Sequence, residues 1–407
     1  MSTAPALTLR GRVMLVAGLL WTATAWLVDQ RLLLWPGLLL TCLPVASWLV
    51  LAVGGGRPGL QRLVDPVELT VGTPLTDHLR VSHRGLFLGA GVIYVEQFPP
   101  ALATPEAPQV AAAGMPWFGP QQHTLTCRAT PRWRGRHRIG PLRRSCVDGL
   151  GLARVHRNLG GVAEVLVLPA VEPLSAVRDA SGVGSTTDSS VLRTSLVGPD
   201  DVTIREYAPG DDVRRIHWRS TARLGELMVR REERAWDPSA VVLFDNRASG
   251  FRAARPDERF EWLVGAAASI CAHLSARGFS VELSDSDSSP DRLGSAPRSG
   301  MTRILRELAD IEPSPEGTLQ QALLAAPGGE HGQLLIALLG GLSAPDAAVL
   351  AAARPRHRSC WALVLEPAKV DPQAVTLLGE AGWRCVRVRV GTPVDDAWRA
   401  LGEGVVR

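Results

Sequence analysis

The densest run of side chains able to do chemistry lies between Asp200 and Arg234 (DDVTIREYAPGDDVRRIHWRSTARLGELMVRREER). Glu206, Asp211, Asp212 and His217 could serve as acids and bases, with Tyr207 as a proton donor, because histidine titrates near neutrality and carboxylates respond to their surroundings. The same run holds eight acids (Asp200, Asp201, Glu206, Asp211, Asp212, Glu226, Glu232, Glu233) and eight arginines (Arg205, Arg214, Arg215, Arg219, Arg223, Arg230, Arg231, Arg234). Equal and opposite charge at this density favours internal pairing, for which the planar guanidinium fork is well shaped. Arginines near each carboxylate would hold it ionised and structural. No catalytic residue is therefore assigned. Pro209-Gly210-Asp211-Asp212 predicts a turn into a helix with the aspartates at its positive end, and Leu227-Met228-Val229 predicts a strand leaving it.

Other chemistries are excluded by what the chain lacks. Lys369 is its sole lysine, and no glycine-rich turn precedes it, so a P-loop nucleotide site is absent from the sequence. A net charge of +4 over 407 residues gives no reason to expect nucleic acid as a partner. The six cysteines (Cys42, Cys127, Cys146, Cys271, Cys360, Cys385) are scattered without C-x-x-C pairs or zinc-finger histidines and read as reduced thiols.

The elements that must position these residues fall into three kinds. From Ala240 onward, continuous apolar runs (Ala240 to Phe244, Phe279 to Leu283, Leu334 to Leu339, Trp361 to Leu365, Cys385 to Val390) alternate with helical segments (Asp257 to Arg277, Met301 to Ile311, Ala344 to Ala353, Pro372 to Ala381, Pro393 to Leu401). That pattern predicts a mostly parallel sheet covered on both faces. From Val64 to Pro169, short β-like runs punctuated by Gly and Pro predict a β-sandwich. Within it, Pro99 to Pro120 lacks periodicity and reads as a loop. Trp133 to Arg144 gathers arginines without an acid. It reads first as a solvated strand and turn, and second as a contact for anionic headgroups.

Near the N-terminus, Val13 to Val28 and Leu32 to Val53 carry no charge, and Asp29-Gln30-Arg31 separates them. At the helical rise they cover ~24 Å and ~33 Å against ~30 Å of hydrocarbon, which predicts a transmembrane hairpin. Arg10, Arg12, Arg57 and Arg62 flank the spans, so the positive-inside rule puts both termini in the cytoplasm. A cleaved leader ending near Ala23-Thr24-Ala25 is the alternative, and it too leaves the soluble part inside. The predicted organisation is a membrane-anchored α/β multidomain protein: hairpin 1–57, β-sandwich-like domain 60–175, linker 176–199, charged segment 200–236 and α/β domain 237–407.

The charged segment resembles the signature of the domain of unknown function 58 (DUF58). The resemblance rests on Arg205-Glu206-Tyr207-Ala208-Pro209-Gly210-Asp211-Asp212, Arg215-Ile216-His217-Trp218, Ser220-Thr221-Ala222-Arg223, Leu227 and Val229-Arg230. Upstream, Arg134-Gly135-Arg136 to Leu142 and Asp148-Gly149-Leu150-Gly151-Leu152 extend it, with Gly149 and Leu150 departing from the family's proline and aromatic. The resemblance implies a von Willebrand factor A-like (Rossmann-like) C-terminal domain. It also implies a MoxR-type AAA+ ATPase as partner and, as a possible neighbour, a transglutaminase-like membrane protein. It assigns interaction roles to Arg205, Glu206, Tyr207, Pro209, Gly210, Asp211, Asp212, Arg215, His217, Trp218, Arg223 and Arg230.

Von Willebrand domains hold Mg²⁺ with Asp-x-Ser-x-Ser after the first strand, where this chain has Asp245-Asn246-Arg247-Ala248-Ser249. Asp245 and Ser249 fit as ligands. Arg247 puts a fixed positive charge where oxygen is needed, and Gly340-Gly341 ends a later strand without the expected Asp, so no Mg²⁺ or other cofactor is expected. The expected function is a membrane-tethered, cytoplasm-facing scaffold docking the ATPase and in contact with the lipid bilayer. The alternatives are a hydrolytic or other enzyme built on the charged segment and a metal-dependent von Willebrand A-type binding protein.

Overall fold

The structure, a computed structural model, describes residues 4–53, 58–83, 86–87, 89–103, 109–112, 117–118, 121–176, 202–206, 218–232, 239–251, 257–286, 300–325, 334–354, 359–366 and 371–403. They form two compact units, one of 1–170 with 305–311 and one of 171–304 with 312–407.

The first unit runs β1 (Ala6–Leu7), α1 (Leu9–Leu27), α2 (Arg31–Val53), β2 (Gly59–Asp65), β3 (Glu68–Thr70), β4 (Leu75–His83), β5 (Leu86–Phe87), β6 (Gly89–Val95), β7 (Leu102–Ala103), β8 (Gln109–Ala112), β9 (Trp117–Phe118), β10 (Gln121–Pro131), β11 (Gly135–Ile139), β12 (Arg143–Asp148), β13 (Ala153–Asn158) and β14 (Ala163–Leu168). Its principal sheets have the orders β1-β13-β12-β6-β8, β2-β4-β10-β7 and β11-β14-β3. Side chains alternate along these strands, so each sheet buries one face. Leu75, Leu79 and Val81 of β4 are fully buried, as are Val165 and Val167 of β14. The reading of Pro99 to Pro120 as a loop is corrected: β7 adds to β10, β8 to β6 and β9 to β5. Their pairing is a backbone matter, which side-chain periodicity does not report.

Arginines in the stretch Trp133 to Arg144 find partners far away in sequence. Arg134 donates to the carbonyls of Leu308 and Ile311, and Arg136 pairs with Asp310 at 3.0 Å and Glu164 at 3.2 Å. Arg144 is buried. The stretch is a strand and turn as read, but not a wholly solvated one.

α1 and α2 lie antiparallel, with Gly18 against Thr41 and Gly37 against Thr22, contacts so close that a Cβ on either glycine would sit under 3 Å from the facing helix. By length and composition, α2 is the one helix among the described residues able to cross a membrane. α1 begins earlier than its apolar run and takes in Arg10 and Arg12. Of the 28 exposed large apolar side chains among the described residues, 18 lie between Leu9 and Val53, so the hairpin's outer surface is an apolar sleeve. Its open end is joined to the β-sheets: Thr8 Oγ1 donates to Gly151 and Leu152 carbonyls, β1 pairs with β13, and Leu51 is buried in a core with Leu79, Val81 and Tyr94.

In the second unit, β15 (Val202–Glu206) pairs antiparallel with β16 (Met228–Glu232), and α3 (Trp218–Leu224) lies between them in sequence. The helix expected after Asp212 is described only from Trp218. There follow β17 (Ser239–Phe244), α4 (Glu258–Ala276), β18 (Ser280–Asp285), α5 (Met301–Asp310, of which 305–310 belong to the first unit), α6 (Leu319–Ala325), β19 (Leu334–Leu339), α7 (Ala344–Ala353), β20 (Ser359–Glu366), α8 (Pro372–Glu380), β21 (Arg384–Arg389) and α9 (Val394–Glu403). The five strands from β17 form one all-parallel sheet of order β18-β17-β19-β20-β21. Val241, Leu243, Leu335 and Ala337 pack with Leu319, Ala347, Leu350 and Leu378 in one core. On the opposite face Phe244 meets Phe260 of α4 and Trp361 meets Trp398 of α9, with ring centroids 5.7 and 5.4 Å apart. Helices on both faces explain why the strands are apolar throughout rather than alternating.

Candidate functional site at the carboxyl end of the parallel sheet

Strand order reverses between β17 and β19, since β18 lies on one side of β17 and the later strands on the other. Open parallel sheets bind ligands in the crevice beyond the carboxyl ends of the strands at such a point. The residue after β17 is Asp245, and the residue after β19 is Gly340. They meet: Gly340 N–H donates to Asp245 Oδ2 at 3.2 Å, and Asp245 N–H donates to the Leu338 carbonyl at 2.9 Å.

Arg247 closes this crevice. Its Nε lies 2.7 Å from Asp245 Oδ1 and its Nη2 3.1 Å from Oδ2, while Nη1 lies 2.7 Å from Asp346 Oδ1 and Nη2 3.3 Å from Asp346 Oδ2. The guanidinium fork thus meets two carboxylates, each through both of its oxygens. Burial opposes the charge on Arg247, yet its hydrogen bonds and charge interactions with Asp245 and Asp346 raise its pKa above the usual range. Burial alone would raise Asp346, but hydrogen bonds from Arg247 and Ser343 hold it below the usual carboxylate range.

Local structure fixes each member. Asp346 sits in the first turn of α7 and forms a capping box with Ser343, whose Oγ accepts from the Asp346 N–H while the carboxylate accepts from Ser343. Asn246 is 1% exposed. Its amide donates to the Glu312 carbonyl, and its Oδ1 accepts from Ser286 N–H and Oγ. Arg247 bridges Ser314, whose carbonyl accepts from Ala248 N–H at 2.7 Å. A Cβ at Gly340 would lie 2.4 Å from the Phe251 ring, so any larger residue there requires that ring to shift. Over that ring Arg259 stacks at 6.0 Å and donates to the Gly340 carbonyl.

The sequence shows Asp245 and the obstructing Arg247 but no aspartate at the end of β19. The structure brings Asp346 to Arg247 instead. It arrives from the following helix rather than the strand end, and the capping pattern Ser343-Ala344-Pro345-Asp346 was its available signal. Ser249 lies exposed in the short turn Ala248–Gly250. The residues present do not fit a divalent cation, because the carboxylate oxygens that would coordinate it already accept from a guanidinium.

Most of the residues given interaction roles lie outside the described residues, namely Tyr207, Pro209, Gly210, Asp211, Asp212, Arg215 and His217. Arg205 and Glu206 lie on β15, opposite Val229 and Met228, and Arg230 faces Ile204 across the same ladder. Trp218 opens α3 with 68% of its surface exposed, and Arg223 is exposed in its last turn. Thr221 Oγ1 accepts from Met228 N–H at 3.0 Å and ties α3 to β16.

Residues 203–366 match the family model "Protein of unknown function DUF58". The matched region, referred to below as the DUF58 region, runs from β15 to the end of β20 and contains Asp245, Arg247, Gly340 and Asp346 at the switch point. None of the curated proteins matches the chain's sequence at a significant level. Among solved structures, a cohesin module from a Clostridium perfringens family 33 glycoside hydrolase is 15% identical with a TM-score of 0.20, covering 27% of this chain and 96% of its own. Pseudomonas fluorescens alkylpurine DNA glycosylase AlkC bound to abasic-site DNA is 10% identical with a TM-score of 0.18, covering 34% and 39%. Likenesses at this level bear on neither fold nor function.

Proposed function

We propose that this protein is a membrane-anchored docking platform whose DUF58 region presents a closed, salt-bridged crest to a protein partner. The observation that carries the reading is the Arg247 guanidinium held between Asp245 and Asp346. At the point where a doubly wound sheet would receive a metal or small ligand, an internal cation already satisfies both acids. Such a crest supports recognition by surface charge and shape more than turnover. The proposal includes a von Willebrand A-like ancestry for the sheet, binding without Mg²⁺, and a MoxR-type AAA+ ATPase as the partner, the last on family resemblance alone.

The apolar sleeve of α1 and α2 supports anchoring in the bilayer by both helices, since lipid is the solvent that such a surface needs. Arginines at the open end of the hairpin support a cytoplasmic position for that end and for the β-sheets joined to it. Crosslinking in native membranes followed by mass spectrometry tests the partner. Recovery of an AAA+ ATPase that is lost in Arg247→Ala supports the platform, and repeated recovery of no ATPase overturns that assignment. Topology is tested separately by placing a cysteine at Asp29 in a Cys42→Ser background. Labelling by an impermeant maleimide from outside intact cells is expected, and labelling only after lysis would overturn the orientation.

A further inference from the structure

A second arginine with two carboxylates lies inside the first unit, where ordinary strand alternation should have placed hydrocarbon. On β4 the inward positions are Leu75, Asp77, Leu79 and Val81, and Asp77 is as buried as its apolar neighbours. Along β6 the same period runs Val92, Tyr94 and, one residue past the strand end, Glu96, which is 2% exposed. On β2 it runs Leu60, Arg62, Val64. Three charges thus occupy the apolar face of three separate strands.

They meet at one place. Arg62 Nη2 donates to Glu96 Oε2 at 2.7 Å, Arg62 Nε lies 3.7 Å from Asp77 Oδ2, and Arg62 Nη1 donates to the Ile139 carbonyl at 2.7 Å. Neither oxygen of Asp77, nor Oε1 of Glu96, has a hydrogen-bond partner among the described residues. Gly140, at φ +103°, lets the β11–β12 turn approach, since a Cβ there would stand 2.9 Å from Arg62 Nη1. The location is a seam in the core. Leu79, Val81, Val92, Tyr94 and Cys127 pack in one apolar cluster on one side of it, and Val64, Leu75, Ala129 and Ile139 in another on the other side.

One guanidinium cannot neutralise two enclosed carboxylates, and a surplus buried charge is expensive unless it takes up a proton. We propose that Arg62, Asp77 and Glu96 form a proton-binding site at this seam, one proton being held between the two carboxyl groups while the seam is closed. The bound proton makes the cluster neutral and gives an unpartnered oxygen a donor. On release it passes to water and leaves a net negative charge between the two apolar clusters, which favours opening along β2, β4 and the β11–β12 turn.

The surroundings agree. Burial raises both acids, Glu96 to about 7, against the opposing charge of Arg62; Asp77 raises Glu96 further, whereas His78 works the other way on Asp77. The Gln97 backbone hydrogen bond to Glu96 is a smaller opposing effect. Burial lifts Cys127, the remaining titratable group of the seam on β10, to about 11, so it stays a neutral thiol. The two carboxyls titrate as a coupled pair, and the proton belongs to the pair.

The test is an infrared pH titration of the full chain in detergent micelles, with Glu96→Gln and Asp77→Asn alongside. The wild type is expected to show a protonated-carboxyl carbonyl band at about pH 6 that fades by about pH 8 and is missing from at least one variant. Amide exchange in β2 and β4, corrected for intrinsic rate, should accelerate about tenfold over that interval, as a shift of one pKa unit implies, and should lose this dependence in Glu96→Gln. Absence of the band from the wild type above about pH 5 overturns the site whether or not the variants fold. So does a band unchanged in both variants, or exchange at the seam that ignores pH.

Discussion

Among the described residues, two clusters withdrawn from solvent share one composition, an arginine with two carboxylates, and they behave in opposite ways. In the DUF58 region Arg247 reaches both oxygens of Asp245 and of Asp346. Backbone N–H groups of Gly340 and Ser343 satisfy those acids further, and Asp346 is held below the usual carboxylate range against the effect of burial. In the β-unit Arg62 reaches one oxygen of Glu96 well and Asp77 only at 3.7 Å, and burial raises both acids. What separates them is donor supply. A loop and a helix N-terminus bring backbone N–H groups to the first cluster, whereas in the second, apart from Gln97 beside Glu96, the strand backbones have spent theirs on ladders. Equal charge inventories therefore give a paired ionic clamp in one place and a proton store in the other.

The largest expected effect comes from removing the clamp's cation. Arg247→Met leaves two aspartates facing each other largely buried, and should lower the stability of the DUF58 region by about 3 kcal/mol, measured by urea unfolding followed through Trp361 and Trp398 fluorescence. A loss below about 1 kcal/mol would make the two clusters alike and break the contrast. Next is Glu96→Gln in the β-unit. A raised carboxyl binds protons in the folded state that the unfolded state has released, so the stabilisation is full below about pH 4 and is lost as pH climbs through about 7. The glutamine variant should remove that decline and gain about 2 kcal/mol over wild type at about pH 8, by denaturant titration at several pH values.

Asp346 has the opposite sign. Its depressed value adds stability above the ordinary aspartate range, and this is lost as pH falls through its folded value, below about pH 4. Acid should therefore loosen the DUF58 region and mild alkali the β-unit, a crossing that hydrogen exchange at two pH extremes would reveal. The smallest effect belongs to Ser343→Ala, which deletes one side of the capping box and should cost about 1 kcal/mol while sparing the Arg247 pairs. A drop as large as that of Arg247→Met would show that the cap, not the guanidinium, positions Asp346.

The parallel sheet was legible because strands buried on both faces are continuous apolar runs, and Leu334–Leu339 and Ala344–Ala353 emerge with the predicted ends. The β-unit was legible as a class and less so in detail. β8 and β9 owe their place to neighbouring backbones, and nothing in Gln109 to Ala112 advertises a partner. The candidate site divides along the same line. Asp245 and Arg247 are two residues apart and could be read together, while Asp346 joins them only through packing of α7 on the sheet. The seam acids were readable in principle, since Leu75-x-Asp77-x-Leu79-x-Val81 shows a charge on an apolar stripe. Noticing it requires the period-2 pattern to be examined for exceptions rather than for its presence.

The way β1, Thr8 and Leu51 stitch the hairpin to the sheets has a mechanical meaning. A floppy tether would let its cargo tumble, and a pull on the cargo would be absorbed by slack chain. Here the two helices and the β-unit turn as one piece. In a bilayer the unit would thus keep a fixed tilt to the membrane normal, and a partner that tugs on it would deliver the force into lipid through the helices themselves.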